Sequence, residues 1–503
     1  MKIFKKISFL TSLEKMGNKL PHPAALFGIF ALTTLLISFI GNLLGWNGVH
    51  PATGESITIV NLLSKEGLHK ILLEMVDNYT GFAPLGIVMV AMLGIGVAES
   101  SGLIKAAINN LLIKAPKNSI TFMIVFTGIL SNIASDLGYI LIIPLAGIIF
   151  HSLGRHPLAG MSAAFAGVSG GFSANLLIGT IDPLLAGLST EAARIIDPNY
   201  YVMPTANYYF MAVSTVIISL AGTWITKIFI EPRLGTYTGN VPQEEIKTLT
   251  KEERKGLRWA GITLLFFIGL IALGLIPDNG ILRGSDNTIL HSPVLKGFIA
   301  VLFIVAGTIG VVYGYVSGSF KKHSDVVTGM NTSYKGMISF LVLVFFAAQF
   351  VAWFKWSNLG LLIAIKGAAF LQTANLSLIP LVILFIILSG FINMFMGSAS
   401  AKWAIMGPVF IPMFMLLGYS PELSQAIFRI GDSFTNVISP MMSFFALIIV
   451  YYQKYDSKSG IGTLIATMLP YSIGFFIIWT LLMVVWIWLG IPLGPEAGLY
   501  YSN

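Results

Sequence analysis

The chain has 503 residues, of which 55% are hydrophobic and 10% charged, with a mean hydropathy of +0.82. A soluble domain carries about 25% charged residues, so this composition excludes an ordinary soluble protein and points to a chain threaded repeatedly through a bilayer. The net charge of +8 reads as lysine and arginine in cytoplasmic loops, not as a nucleic-acid surface, and the absence of cysteine excludes disulfides, thiolate metal sites and cysteine nucleophiles.

The basic start, MKIFKKISFLTSLEKMGNKLPHP, leads into about 20 apolar residues from Ala24. That run is longer than the apolar region of a signal peptide, so an uncleaved first span at 23–45 is expected. Further runs able to cross once lie at 81–99, 158–190, 207–230, 259–276, 294–317, 337–356, 421–450 and 463–488, about nine crossings in all. Residues 59–76 and 358–372 read as short amphipathic or partly inserted helices.

Two stretches, 119–154 and 376–418, are too long for one crossing. Each is broken near its middle by polar residues, SNIASD (Ser131 to Asp136) in the first and GSASAK (Gly397 to Lys402) in the second. Two full crossings would satisfy the length. A hairpin that enters and leaves on one side also accounts for the polar tips, because irregular backbone at membrane depth survives only when buried in protein or lining a wet cavity. With hairpins, most of the lysines and arginines fall on the side of the N-terminus, in 2–19, 105–117, 227–258, 321–335 and 454–458. The positive-inside rule then places the N-terminus in the cytoplasm and the C-terminus outside.

The expected fold class is therefore an all-α polytopic membrane protein, about nine transmembrane helices plus two re-entrant helical hairpins. The first half, 1–230, holds hairpin one (119–154) and a helix broken within 158–190. A cytoplasmic linker, 231–258, separates it from the second half, 259–503, which holds hairpin two (376–418) and a helix broken within 421–450.

The halves resemble each other. Shifting the chain by 264 positions lays YILIIPLAGIIFHSLGRHP (Tyr139 to Pro157) over WAIMGPVFIPMFMLLGYSP (Trp403 to Pro421) without a gap. Tyr139 meets Trp403, Pro144 meets Pro408, Gly154 meets Gly418 and Pro157 meets Pro421. Downstream, FSANLLIGTIDP and SFTNVISP occupy similar places but align only with a gap. With the hairpins on opposite sides this is an inverted repeat, a plan common in secondary transporters, where the site lies between the repeats.

Charges at the expected membrane depth are few: Asp136, Asp182, Lys402, Arg429 and Asp432. Each costs roughly 2.5–3.5 kcal/mol near the bilayer centre on the lenient insertion scale, so each is a functional candidate with a partner expected. Arg429 and Asp432 stand three apart in FRIGDSFTN and share a helix face. They read either as a structural ion pair or as a carboxylate-binding arginine whose counter-ion, Asp432, responds to protonation. Asp182, before a helix-breaking proline in GTIDP, reads as a cap or a proton acceptor. Lys402 reads as a tip residue that snorkels to water. Ser131, Asn132, Asn175, Asn393, Ser398, Ser400, Thr435 and Asn436 cluster at four breaks. Their oxygens suit Na⁺, with Asn132, Asp136, Asn175 and Asn436 as candidate ligands, and half-helix N-termini there favour an anionic group. Trp403 could stack on an aromatic substrate or pack on a neighbouring helix. There is no HExxH and no Walker-type loop, so neither a metalloprotease nor internal ATP drive is expected.

GSASAKWAIMGPVFIPMFMLLGYSPELSQAIFRIGDSFTNVISPMMSFFAL (397–447), supported by SNIASDLGYILIIPL and ANLLIGTIDPLLAG, resembles the aminobenzoyl-glutamate transporter (AbgT) family of bacterial inner-membrane proteins. The resemblance spans essentially the whole chain. It implies nine transmembrane helices and two re-entrant hairpins in a bowl-shaped homodimer. It also implies transport of p-aminobenzoyl-glutamate or export of sulfonamide antimetabolites, driven by ion gradients, chiefly of protons, without a cofactor. The family's functional positions fall on Asp182, Ser400, Trp403, Pro421, Arg429, Asp432 and Pro440. On this reading Arg429 holds a glutamyl carboxylate, Trp403 faces the aromatic ring, Ser400 and Asn393 complete the site, and Asp182 or Asp432 exchanges the proton. The alternatives are a Na⁺-coupled di- or tricarboxylate carrier and, more remotely, a channel.

Overall fold

The computed structural model describes residues 23–49, 54–113, 115–133, 138–242, 248–289, 291–374 and 376–501. Asp136, one of the candidate ion ligands, lies outside the described residues.

Apolar length decides most elements. Helix α1 (Pro23–Leu43) leads through a two-stranded hairpin, β1 (Asn47–Val49) and β2 (Ser56–Thr58), to α2 (Lys65–Thr80), which runs on almost directly into α3 (Ala83–Ser100). A short α4 (Leu103–Ile113) precedes the first helical hairpin, α5 (Ile120–Leu130) and α6 (Ile143–Ser152). A broken helix follows, α7 (Pro157–Phe165) and α8 (Ile181–Ala193), and then α9 (Tyr208–Ile225). The rest of the chain holds α10 (Lys251–Leu275), α11 (Phe298–Ser317), α12 (His323–Gly336), α13 (Ile338–Trp356) and α14 (Leu359–Thr373). It ends with the second hairpin, α15 (Leu378–Asn393) and α16 (Ala399–Leu416), a second broken helix, α17 (Pro421–Asn436) and α18 (Phe445–Tyr455), and α19 (Ile461–Trp488).

The chain is an all-α membrane protein. Among the described residues, eight helices are long and apolar enough to cross a bilayer. Seven correspond to the unbroken runs expected from sequence. The eighth is α16, whose 18 residues suffice for a crossing by length alone. Two boundaries differ from expectation. Helix α10 starts at Lys251, not 259, because Thr250 caps it: its Oγ1 accepts the Glu253 N–H at 3.1 Å, while the Glu253 carboxylate accepts the Thr250 N–H at 2.8 Å. The amphipathic helix placed at 59–76 spans Lys65–Thr80, starting after the Ser64 cap, whose Oγ accepts the Gly67 N–H at 3.1 Å.

The repeat is visible bond by bond. Helix α6 ends with Arg155 N–H donating to Phe150 O at 2.8 Å, and α16 ends with Tyr419 N–H donating to Phe414 O at 2.9 Å. Gly154 and Gly418 close both turns in the left-handed region, at φ 70° and 83°. Pro157 and Pro421 then take the first position of α7 and α17, where a missing N–H costs nothing. Beyond the breaks, Ile181 and Phe445 start α8 and α18 at the same 264-residue offset. No gap is needed there, so the apparent match of FSAN to SFTN is out of register with the fold.

Glycines set the closest helix approaches. A side chain at Gly94 of α3 would strike the Phe303 backbone of α11 at 2.6 Å, and one at Gly310 would strike Ala98 at 2.6 Å. Helix α3 packs on α11 and α12, while α13 packs on α1 and α2, an exchange of partners that again relates the halves. Helix α17 lies at the centre, with only Phe434 incompletely buried. Helices α10 and α11 are peripheral, and α10 presents Leu265, Phe266 and Leu273 outward.

Replacing Gly154 or Gly418 by valine forces a branched side chain into the left-handed region, at a cost of roughly 1–2 kcal/mol. We expect each variant to melt at a lower temperature in detergent by thermal unfolding, and the two to lose similar amounts because the turns are equivalent.

Candidate substrate and ion site

Helix α17 carries polar residues at 422, 425, 429, 432 and 436, three or four apart, which places them along one face. That face is buried in protein, so each polar group must find a partner. Arg429 finds Asp182: Nη1 lies 2.7 Å from Oδ1, and both side chains are almost wholly buried. Asp182 stands in the first turn of α8, just past the first break, and its Oδ2 accepts the Gly179 N–H at 2.7 Å. The pair therefore joins the second half's first half-helix to the first half's second.

Asp432 pairs with Lys402 of hairpin two, at 2% and 0% side-chain exposure. The Lys402 ammonium also donates to Asn393 Oδ1. The Asn393 amide nitrogen donates to Asp432 O at 2.7 Å, Thr435 Oγ1 at 2.8 Å and Asn436 Oδ1 at 2.7 Å. These acceptors fix the amide's orientation, since a flipped amide would set oxygen against oxygen.

Two sequence expectations are corrected here. Asp432 is not the direct partner of Arg429: three residues apart, they diverge to different neighbours. Lys402 does not snorkel, because the tip of hairpin two is covered and the ammonium points inward to Asn393 and Asp432.

Trp403 is fully buried. It stacks on Phe428 with ring centroids 4.5 Å apart, and its indole N–H donates to Ser189 Oγ at 2.8 Å. From there a buried chain continues. Ser189 donates to Gln425 at 2.6 Å, Gln425 to Asn207 at 2.9 Å, and Asn207 to the Glu422 carbonyl at 3.0 Å. Tyr200 O–H donates to the Glu422 carboxylate at 2.9 Å. Sequence reasoning missed Ser189, Asn207, Gln425 and Glu422. The last two were legible as members of the same polar stripe as Arg429.

The breaks converge on one cleft of about 230 Å³. Asn132 and Tyr139 line it from hairpin one and Gly397 from hairpin two. The first break contributes Phe172, Thr180 and Ile181, and the second Met442, Ser443 and Phe444. Gly397 presses on the Met441 backbone and Gly179 on that of Asn132, so each tip rests on the break of its own half. Tyr139 stacks on Phe444 at 4.5 Å, as its repeat partner Trp403 stacks on Phe428.

The remaining candidates divide. Asn132 lines the cleft, and its Oδ1 is buried without a hydrogen-bond partner among the described residues. The Asn175 oxygen is taken by the Leu176 and Leu177 N–H groups, and the Asn436 oxygen by Asn393. Ser400 lies in the first turn of α16, 3.3 Å from the Ser398 hydroxyl. Pro440 lies within the second break. Pro421 is apart, at the far end of α17, where the preceding Ser420 bonds to the C-terminal tail through Gly498 and Leu499.

Ion pairs buried between broken helices, with an apolar belt around them, fit a membrane transport protein. Comparison with known proteins agrees. The chain belongs to the family described as "AbgT putative transporter family", which it matches over residues 8–501. It is 40% identical over 489 residues to the p-aminobenzoyl-glutamate transport protein of Escherichia coli K12, covering 97% of this chain and 96% of that one. Two solved structures share its fold. The YdaH transporter of Alcanivorax borkumensis is 46% identical with a TM-score of 0.90, over 94% of this chain and 100% of the other. MtrF of Neisseria gonorrhoeae, of a class of antimetabolite efflux pumps, is 49% identical with a TM-score of 0.92, over 97% and 99%.

Removing one member of a buried ion pair strands the other charge and costs about 3–5 kcal/mol. We expect Asp182→Asn and Arg429→Gln each to destabilise strongly, and their combination to cost clearly less than the sum. Asp432→Asn should couple in this way to Lys402→Met and only weakly to Arg429→Gln. Unfolding of singles and doubles in detergent reads these couplings, and additivity at 182 and 429 would refute the pair.

Proposed function

We propose that the chain is an ion-gradient-driven secondary transporter of p-aminobenzoyl-glutamate or a related aromatic amide, coupled to protons. It sits in the bacterial inner membrane as a homodimer with its N-terminus in the cytoplasm. The two hairpins re-enter from opposite sides within an inverted repeat, and about nine helices cross. The cargo follows from the printed function of the Escherichia coli relative, and sulfonamide export is the competing cargo suggested by MtrF.

The observation that carries the coupling is the Arg429–Asp182 pair, 2.7 Å long, with Asp182 just past the first break. A substrate carboxylate and Asp182 compete for one guanidinium. While Asp182 is ionised it holds Arg429. Protonated, it releases an uncompensated buried cation, which an anionic substrate then neutralises. Proton and anion bind together, which is the linkage of a symporter. Arg429 supplies a planar fork for the glutamyl carboxylate. Trp403 gives up Phe428 for the aromatic ring when hairpin two moves, and Asn393, Ser400 and Pro440 line the opened site, with Pro421 as the pivot at the helix end. Movement is required, because about 230 Å³ is below the roughly 300–1,000 Å³ usual for small-molecule sites. Asp432, the other candidate acceptor, stays paired with Lys402 while Asp182 exchanges the proton. A contributing Na⁺ binds at the first hairpin through Asn132 and Asp136, since the Asn175 and Asn436 oxygens are already engaged by other groups.

Uptake of radiolabelled p-aminobenzoyl-glutamate into proteoliposomes tests this reading. We expect saturable uptake under an inward proton gradient and its loss in Asp182→Asn. Arg429→Lys keeps the charge but not the fork, and should raise KM about tenfold or more, equivalent to about 1.4 kcal/mol. Uptake of simple dicarboxylates but not of the aromatic amide would overturn the cargo. Uptake that follows Na⁺ alone would overturn proton coupling.

A further inference from the structure

We propose that the Lys402 ammonium is a tethered cation permanently filling an oxygen-lined site between hairpin two and the second helix break, where it takes the place of an exchangeable Na⁺. The inference rests on reading the chain as an ion-coupled carrier, and it assigns Lys402 a part in ion selectivity that its position alone does not suggest.

The geometry is that of a cation site. Lys402 is wholly buried, and its ammonium is held by one anionic and one neutral oxygen, Asp432 Oδ1 and Asn393 Oδ1. Neutral and carboxylate oxygens are the donors a hard cation selects. The neutral ligand is fixed in place, because Asp432 O, Thr435 Oγ1 and Asn436 Oδ1 all accept from the Asn393 amide nitrogen and leave its oxygen turned to the ammonium. Ser439 Oγ donates to the Asn393 carbonyl at 3.1 Å, tying the break to the hairpin. Asp432 Oδ2 is buried without a hydrogen-bond partner among the described residues, so the carboxylate has an oxygen to spare toward a cation.

The repeat supplies a control within the molecule. Gly138 stands where Lys402 stands, and Val168 where Asp432 stands. They are adjacent in the same way, since a side-chain carbon at Gly138 would lie 2.7 Å from Val168. The first half therefore has neither the tethered cation nor its carboxylate. The charge couple belongs to one repeat only, as expected of a feature added to a symmetric frame for a purpose other than packing.

Deleting the ammonium should leave a buried carboxylate and an amide oxygen facing a space of cation size. The test is thermal unfolding of the full-length protein in detergent, in NaCl against choline chloride at constant ionic strength. For Lys402→Ala we expect Na⁺ to raise the melting temperature by about 5 °C beyond its effect on the unaltered protein, as ligand binding to the folded state does. The excess should vanish in Lys402→Ala/Asp432→Asn. A Na⁺ response in Lys402→Ala equal to that of the unaltered protein would overturn the proposal. Should Lys402→Ala fail to fold in either salt, Lys402→Gln, which retains most of the side-chain length, carries the same comparison, and equal melting in both salts would again overturn it. Melting needs no transport. A protein that carries no aromatic amide would sink the transport reading while leaving this comparison valid.

Discussion

The joining of Arg429 to Asp182 governs how the two halves can sit. A guanidinium inside a membrane protein must be paired, and its fork must be met by a carboxylate at close range. The carboxylate comes from the start of α8 and the guanidinium from the middle of α17, so the halves are locked at their breaks as well as through the close packing of α3 on α11. The breaks are a consequence. An unbroken helix through residues 166–181 would leave no free Gly179 N–H to hold the second oxygen of Asp182. The outer helices, with their glycine contacts at Gly94 and Gly310, keep water and lipid away from a pair that would be worth little if exposed.

Symmetry of frame and asymmetry of chemistry coexist in this chain. The left-handed turns at Gly154 and Gly418, the prolines that follow, and the starts of α8 and α18 all keep one offset. Within that frame the side chains diverge. Tyr139 and Trp403 both stack on a ring, yet Tyr139 lines the cleft while Trp403 is buried and hydrogen-bonded to Ser189. Gly138 and Val168 are answered by Lys402 and Asp432. Backbone turns are fixed by local sequence and resist divergence, because a residue with a Cβ is strained at φ near 80°. Buried side chains are free to diverge as long as each charge keeps a partner.

This division also explains what could be read beforehand. Apolar length located the unbroken helices, and the shared Leu-Gly-x-x-Pro located the repeat, because both are local properties. The residues of the charged site were legible too: Asp182, Arg429 and Asp432 are conspicuous in an apolar chain. Their pairing was not. A helical period says that Arg429 and Asp432 share a face, but not that one turns to α8 and the other to α16. Lys402 misled for the same reason: a lysine at a polar tip is expected in water unless the tip is known to be covered. Glu422 and Gln425 escaped notice although their spacing extends the stripe through Arg429, because a buried polar stripe announces a partner surface without naming it.

On the proposed function, the conformation described is one in which the protein's own groups occupy the places a substrate would need. Asp182 holds the guanidinium, Phe428 covers the Trp403 ring, and the cleft between the breaks is too small for an aromatic amide with a glutamyl tail. Each of these contacts can be exchanged for a chemically similar one from a ligand: carboxylate for carboxylate, ring for ring. Exchange between like partners has a small net free energy, because no charge or apolar surface is left bare at either end of it. A site built on such substitutions can pass between a self-satisfied state and a loaded one without exposing a buried charge to the membrane. The Lys402–Asp432 couple has no such counterpart in an aromatic amide, so on the same reading it keeps its own partners while Arg429 and Trp403 exchange theirs.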